Sequence, residues 1–308
     1  MGPLPGGVPI ATATASPLSI ADIRPRAIPP AARRRRFLVA VANHSIAIAL
    51  GTVFVLPFVF VLLTALMARS QALSGTLWPR PFVLDNFVRV FRFIPLWQYT
   101  WNTVLYAGLS TLGTVASSIP VAYALSRMRW RGRQVAFVLV LSTLMLPPQV
   151  TIVPLYVIFV RIGWIGSLKP LIVPAFFGDA FTIFLLRQFF MTIPEELSDA
   201  ARVDGASEFQ ILRRVIIPLA KPAIAAVALF QFLYCWNDFF GPLLYTGSNP
   251  KIWTLAVALS EFSSVLHQGV LWNIQMAASV LFMLPVIALF FVAQRAFIEG
   301  VTLTGVKG

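Results

Sequence analysis

The sequence predicts an all-α integral membrane protein with six transmembrane helices. Three observations carry this reading. The chain of 308 residues is 58% hydrophobic and only 11% charged, whereas a soluble domain carries about 25% charged residues. Six apolar stretches are each long enough to cross about 30 Å of hydrocarbon. Basic residues gather in alternate connections, which is how membrane helices are oriented.

Residues 1–36 are rich in Pro, Ala and Gly and end in Arg33-Arg34-Arg35-Arg36. Such a composition cannot bury enough apolar surface to order itself, so residues 1–44 are expected to form a disordered basic tail. The first span covers about 45–67. It is too long for a signal-peptide core of about 7–15 residues and has no small-residue cleavage site. The remaining spans cover about 102–125, 135–158, 171–190, 216–238 and 274–297. Together they define a membrane domain over 45–298, followed by a short polar tail, 299–308. Prolines 57, 120, 147, 148, 154, 174 and 285 interrupt the spans. Such breaks are tolerated where helices pack together or line a cavity. Two long connections, about 68–101 and 239–273, carry Trp78, Trp97, Trp101, Trp253 and Trp272, residues suited either to a membrane–water boundary or to gripping an external partner.

With the N-terminus inside, 17 of the 24 basic residues fall on the inner side. Both termini are then cytoplasmic. The net charge of +13 is thereby explained by topology. The basic residues lack the aromatic and Gly-rich context of a nucleic-acid binder, so no nucleic-acid partner is expected. Cys235 is alone, which excludes a disulfide framework and a cysteine metal site. His44 and His267 have no ligand-spaced partners, so no metal or cofactor site is expected.

Five of the eleven carboxylates fall between Glu195 and Glu208, inside a segment that cannot lie in lipid. Thr192-Ile193-Pro194-Glu195 fits a capping box with Pro early in a helix. Glu195, Glu196 and Asp199 suit the positive end of that helix. Leu197, Ala200, Ala201 and Val203 offer a compact apolar face, and Gly205 breaks the run. A second helix follows, with Phe209, Leu212 and Ile216 at spacings of 3 and 4. This helix-turn-helix, on the cytoplasmic side, is either an amphipathic interfacial loop or a docking surface for a partner. Inside the spans, ionisable residues are expensive and therefore candidate functional groups. They are Asp179 in the fourth span and Asp238 at the outer end of the fifth, beside Gln231, Tyr234, Trp236 and Asn237. Amide, carboxylate and aromatic groups together suit a sugar, while interfacial capping is the alternative role of Asp238.

Asp199-Ala200-Ala201, then Gly205, then Ile216-Ile217-Pro218 resembles the EAA motif of ABC importer permeases. Leu146-Pro147-Pro148-Gln149-Val150, Pro154-Leu155-Tyr156, Leu186-Arg187-Gln188-Phe189-Phe190, Trp236-Asn237-Asp238-Phe239 and the stretch Gly300 to Gly308 resemble the MalG-like carbohydrate branch. The likeness covers about residues 45–308. It departs in one place: Asp199 stands where the motif has Glu, so the carboxylate is one methylene shorter.

The resemblance implies a type I importer permease fold of MetI/MalG-like form in a bacterial cytoplasmic membrane. It makes residues 194–214 a coupling segment for an ATPase, with Glu195, Glu196, Leu197, Asp199, Ala200, Ala201, Val203, Asp204, Gly205, Ala206 and Phe209 as contacts. It implies a MalF-like partner permease, two ATP-binding subunits, an extracytoplasmic binding protein, and tail contacts at Gly300, Thr302, Gly305 and Lys307. The chain itself has no phosphate-binding loop, because Val306 follows Gly300-(x4)-Gly305 where Lys is needed. ATP and Mg belong to the partner subunits, and the chain is a transporter subunit rather than an enzyme. The rival is an ion-gradient carrier using Asp179 or Asp238, weakened by the lack of a visible inverted repeat.

Overall fold

A computed structural model describes residues 30–247, 249–267 and 271–305, and it is helical, with no strand among the described residues. The chain divides into two units, Met1–Pro57 and Phe58–Gly308. In the first unit, a helix that ends at Ala65 begins at Pro30, and side chains from Phe37 to Pro57 are exposed. Its start lies within the stretch expected to be disordered. Proline is preorganised for a first helical position, and Ala31, Ala32 and the arginines after them are strong helix formers.

The second unit is built around one long helix. We label Pro30–Ala65 α1, Asp85–Phe93 α2 and Leu96–Ser126 α3. α4 is Arg133–Leu144, α5 is Pro148–Arg161, and α6 is Lys169–Ile172. A 3₁₀ turn at Val173–Phe177 leads to α7, Ala180–Thr192. Two short helices, α8 (Glu195–Val203) and α9 (Glu208–Ile211), precede a π turn at Leu212–Ile216 and α10, Ile217–Leu219. The chain ends with α11 (Lys221–Asn237), α12 (Phe240–Thr246), α13 (Leu255–His267) and α14 (Trp272–Gly305).

Among the described residues, four stretches are long and apolar enough to cross a membrane: Arg36–Ala65, Leu96–Ser126, Lys169–Thr192 and Trp272–Phe291. The count reaches six if each of two bent pairs is one span. The stretch expected over 135–158 bends by 92° between α4 and α5. Pro147 and Pro148 lack the N–H groups that would continue the helix. The stretch expected over 216–238 bends by 79° at Ala220. Residues 216–219 therefore belong to the preceding arm, and α11 opens with Lys221-Pro222.

α3 packs against α7, α11, α13 and the 3₁₀ turn. Its buried face is made of small residues: Thr103, Ala107, Ser110, Thr114, Ser118 and Ala122 are all nearly inaccessible. They recur every three or four positions, so they form one stripe. Small side chains let helix backbones approach closely where no hydrophobic effect drives them together. Gly113 lies on the same helix, and a Cβ there would meet the Phe176 ring at 2.6 Å.

Apolar cores form at both ends of α3. At the Leu96 end, Tyr99 and Tyr106 join Trp236, Leu255, Ile274 and Phe282. At the Ser126 end, Tyr123 and Leu125 join Leu186, Phe190, Ile211 and Ile216. Polar side chains lock the connections at the first of these ends. The Asn102 amide donates to the carbonyls of Lys251 and Trp253, each at 2.9 Å. The Asn86 amide donates to Ala65 and Met67 carbonyls at 2.8 and 2.9 Å and accepts from Asn273 at 2.9 Å. Trp97 and Trp101, expected in a loop, fall on the first turns of α3 and are exposed.

Asn86 is fully buried, so Asn86→Leu strands two carbonyls and the Asn273 amide. Each stranded group costs about 1–3 kcal/mol. We expect destabilisation of about 3 kcal/mol in a detergent thermal melt, against less than about 0.5 kcal/mol for Leu77→Gln on the exposed loop.

Candidate functional site

The polar segment folds as a hairpin of two short arms. The helix α7 stops at Thr192, Ile193 and Pro194 are extended, and α8 begins at Glu195. Glu195 and Glu196 fill its first turn and Arg202 its last, each matched to the helix dipole. The expected capping box at Thr192 is absent. The Thr192 hydroxyl donates backward to the Phe189 carbonyl at 2.7 Å, and Pro194 holds the cap position. Thr192 still lies on the preceding helix, too early to reach α8. A capping box forms one arm later, between Ser207 and Gln210.

Gly205 turns the chain with φ of +80°. Its N–H donates to the Arg202 carbonyl at 3.0 Å and the Ala206 N–H to the Ala201 carbonyl at 2.9 Å. This pair of bonds is a Schellman cap, which requires a left-handed residue at the turn. A Cβ at Gly205 would meet nothing within 4 Å, so the requirement for glycine is conformational rather than steric. After α9 comes the π turn. Pro218 cannot donate to the Arg214 carbonyl and would crowd it in a regular helix, and a wider turn relieves that crowding.

A single carboxylate ties the two arms together and to the bundle. Glu208 Oε1 accepts from Arg202 Nε at 2.9 Å, and Oε2 accepts from the Tyr123 hydroxyl at 2.5 Å. Arg202 also donates to Asp199 at 2.7 Å. Hydrogen bonding from Arg202 holds the Glu208 carboxyl below the usual carboxylate range, and the same bond raises the Arg202 guanidinium.

Two arginines stitch α3 to α7 just behind this node. Arg127 donates through Nε to the Phe190 carbonyl at 3.0 Å and through Nη2 to the carbonyls of Phe190 and Ile193. These carbonyls lie at and just past the end of α7, where the helix's own N–H groups run out. Arg187 returns the contact, donating to the Leu125 carbonyl at 3.1 Å with its guanidinium 3.9 Å from the centre of the Phe137 ring. The Arg129–Glu195 pair, at 3.2 Å, is exposed and contributes little.

The predicted contact residues divide by face. Leu197, Val203 and Phe209 are 44%, 88% and 70% exposed. Glu195, Glu196, Asp199, Ala200, Asp204 and Gly205 are exposed with them. Ala201 and Ala206 instead pack against the core at the Ser126 end of α3. The apolar face expected from Leu197, Ala200, Ala201 and Val203 is therefore split, with Ala201 turned inward. Gly300, Thr302 and Gly305 fall on the continuation of α14, and Lys307 lies outside the described residues.

The intramembrane candidates also separate. Asp179, Gln231 and Tyr234 line one cleft of about 490 Å³ with Phe181, Thr182, Val227 and Phe230. Trp236 is buried and stacks on Phe232 at 5.5 Å. The Asn237 amide bonds its own helix at Leu233. Asp238 accepts from the Tyr106 hydroxyl at 2.8 Å and the Gly241 N–H at 3.1 Å. Trp236, Asn237 and Asp238 thus lie outside the residues lining the cleft. No group of three His, Cys, Asp or Glu among the described residues could hold a metal.

Sequence reasoning passed over Tyr123, Arg127, Arg187 and Glu208 as site residues. Tyr123 and Arg127 stand one helical turn apart at the end of a long apolar run, and that spacing was the available signal.

A bundle of apolar spans with a rigid polar hairpin pinned to one end defines the membrane-embedded subunit of a transport system. Residues 110–302 match the family described as binding-protein-dependent transport system inner membrane component, and the chain belongs to that family. It is 34% identical over 231 residues to the arabinooligosaccharides transport system permease protein AraQ of Halalkalibacterium halodurans, covering 75% of this chain and 81% of that one. It is 34% identical over 211 residues to the sn-glycerol-3-phosphate transport system permease protein UgpE of Brucella abortus, covering 68% and 74%. Among solved structures, a bacterial ABC transporter that imports the acidic polysaccharide alginate matches with a TM-score of 0.73 at 25% identity, covering 85% of this chain and 97% of that one.

Tyr123→Phe removes the Glu208 tie without changing shape. We expect a loss of about 1 kcal/mol and faster backbone hydrogen exchange across 195–211. Unchanged exchange there means the node does not hold the hairpin.

Proposed function

We propose that this chain is the membrane-spanning subunit of an ATP-driven, binding-protein-dependent carbohydrate importer. It pairs with a homologous permease in the cytoplasmic membrane. The hairpin and both chain termini face the cytoplasm, in line with the 17 inner basic residues of 24. Two ATP-hydrolysing subunits dock on the hairpin, and a loaded binding protein delivers cargo to the opposite side. ATP and Mg sit on those partners. This chain carries out no covalent chemistry; it turns ATPase closure into a switch of access.

One observation carries the reading. The hairpin presents Leu197, Val203 and Phe209 outward while Arg202, Glu208 and Tyr123 fix its inner side. An element that must transmit force needs an apolar surface to be gripped and a stiff attachment to what it moves. Its occupant is the ATP-hydrolysing subunit, as the family and the Asp199-Ala200-Ala201…Gly205 spacing imply. Gly300, Thr302, Gly305 and Lys307 provide a second contact with the same subunit.

The carrier alternative draws no support from the geometry. Asp238 is engaged by two donors, and Asp179 caps a helix.

The test is to purify the complex with Val203→Arg and Phe209→Asp in this chain. Removing buried apolar anchors costs about 2 kcal/mol each, roughly 30-fold in affinity. The ATPase is expected to dissociate, with the thermal midpoint of the permease unchanged because both side chains are exposed. Full ATPase retention and stimulation by loaded binding protein overturn the assignment of this face.

A further inference from the structure

The cleft between α7 and α11 has a chemistry that selects its cargo. At about 490 Å³ it lies within the roughly 300–1,000 Å³ of small-molecule sites. Its polar groups are the Asp179 carboxylate, the Thr182 hydroxyl, the Gln231 amide and the Tyr234 phenol, and its aromatic faces include Phe181 and Phe230. Among the described residues, no Lys, Arg or His lines it.

The cleft also closes off its own anion site. The N-terminus of α7 opens onto it, and free N–H groups there would attract a phosphate or carboxylate. Asp179 already occupies that position. Its Oδ2 accepts from the Thr182 N–H at 2.7 Å, so the dipole is matched by a resident negative charge. An anionic cargo would meet the Asp179 carboxylate with no basic side chain lining the cleft to offset it. A neutral saccharide meets complementary groups. Its hydroxyls donate to the carboxylate and exchange bonds with the Gln231 amide and Tyr234 phenol, and its C–H faces lie against the rings.

We propose that this cleft is a cargo-contact site for an uncharged saccharide and disfavours phosphorylated or uronic-acid cargo. The inference rests on the importer reading and narrows it. Relatives of this chain are named for arabinooligosaccharides and for glycerol 3-phosphate, so family membership alone does not decide the charge.

The test uses the whole complex in proteoliposomes, with radiolabelled maltotriose and arabinotriose as neutral probes. Glycerol 3-phosphate and an alginate trisaccharide are the anionic probes. Wild type is expected to take up a neutral probe with ATP and neither anion. Asp179→Asn keeps a cap acceptor for Thr182 while removing the charge. It should raise the half-saturating concentration of the neutral probe by about tenfold or more, the loss of one charge-assisted hydrogen bond. Tyr234→Ala alters an exposed side chain, so it guards against a folding artefact, and it should act in the same direction. Gln231→Lys should worsen neutral uptake and admit an anionic probe. ATP-dependent uptake of an anion by wild type overturns the neutral-cargo inference and leaves the importer reading intact. Neutral uptake indifferent to all three substitutions overturns the site alone. No ATP-dependent uptake of any probe overturns the importer reading together with this one.

Discussion

Everything in the second unit depends on how closely other helices approach α3. The stripe from Thr103 to Ala122 is the constraint. In lipid, an apolar side chain gains nothing by leaving tails for another helix. Association must come from packing and from polar bonds between helices. A narrow stripe on α3 supplies the first, bringing α7 and α11 against one face. The buried hydroxyls of Ser110 and Thr103 supply part of the second, the former donating to the Leu171 carbonyl at 3.1 Å and the latter accepting from the Leu255 N–H at 2.8 Å. A larger residue anywhere along the stripe would push apart partners that the two end cores hold in register.

The ends of α3 perform different work with similar means. At Leu96, neutral amides hold backbone carbonyls of the connections. At Ser126, arginines do so, and a carboxylate and phenol join them. Among these ties, guanidinium groups hold carbonyls only at the hairpin end, while at the Leu96 end the Asp238 carboxylate meets the Tyr106 hydroxyl. Arg127 and Arg187 bind carbonyls on each other's helix rather than carboxylates, so that junction stays fixed while the hairpin carboxylates remain directed elsewhere. The hairpin is thus attached to α3 through Glu208 and Tyr123, and to the junction of α3 with α7 through Ile193 and Arg127.

Much of this was legible in the sequence, for physical reasons. Apolar length pointed to the helices that could cross a membrane, four of them or six with the bent pairs, and the density of carboxylates at 195–208 pointed to the hairpin. Gly205 was readable as a turn because a charged, Ala-rich helix must end somewhere and glycine ends it at least strain. The bends at Pro147-Pro148 and at Ala220 were not resolved, since hydropathy windows average across a break. The capping box was misplaced by one arm because Thr192 and Ser207 offer similar local patterns and only the fold decides between them. The Glu208 node was harder to read: Arg202 is only six residues away, but Tyr123 is 85 residues away on α3, and such long-range pairing leaves no periodic trace. The candidates at 231–238 looked contiguous, yet a helix distributes neighbours around its axis. Gln231 and Tyr234 share a face, while Trp236 points into the core.

The π turn at Leu212–Ile216 has a consequence for how the second arm is indexed. A π turn holds about one residue more than an α turn, so the arm before it is rotated by about 100° relative to a continuous α-helix. That offset sets the azimuth at which Glu208 faces Tyr123. The hairpin's alignment is thus written as a phase angle in the backbone, upstream of any side-chain bond. A chain shortened by one residue in this turn would keep every residue of the node and turn its carboxylate away from Tyr123.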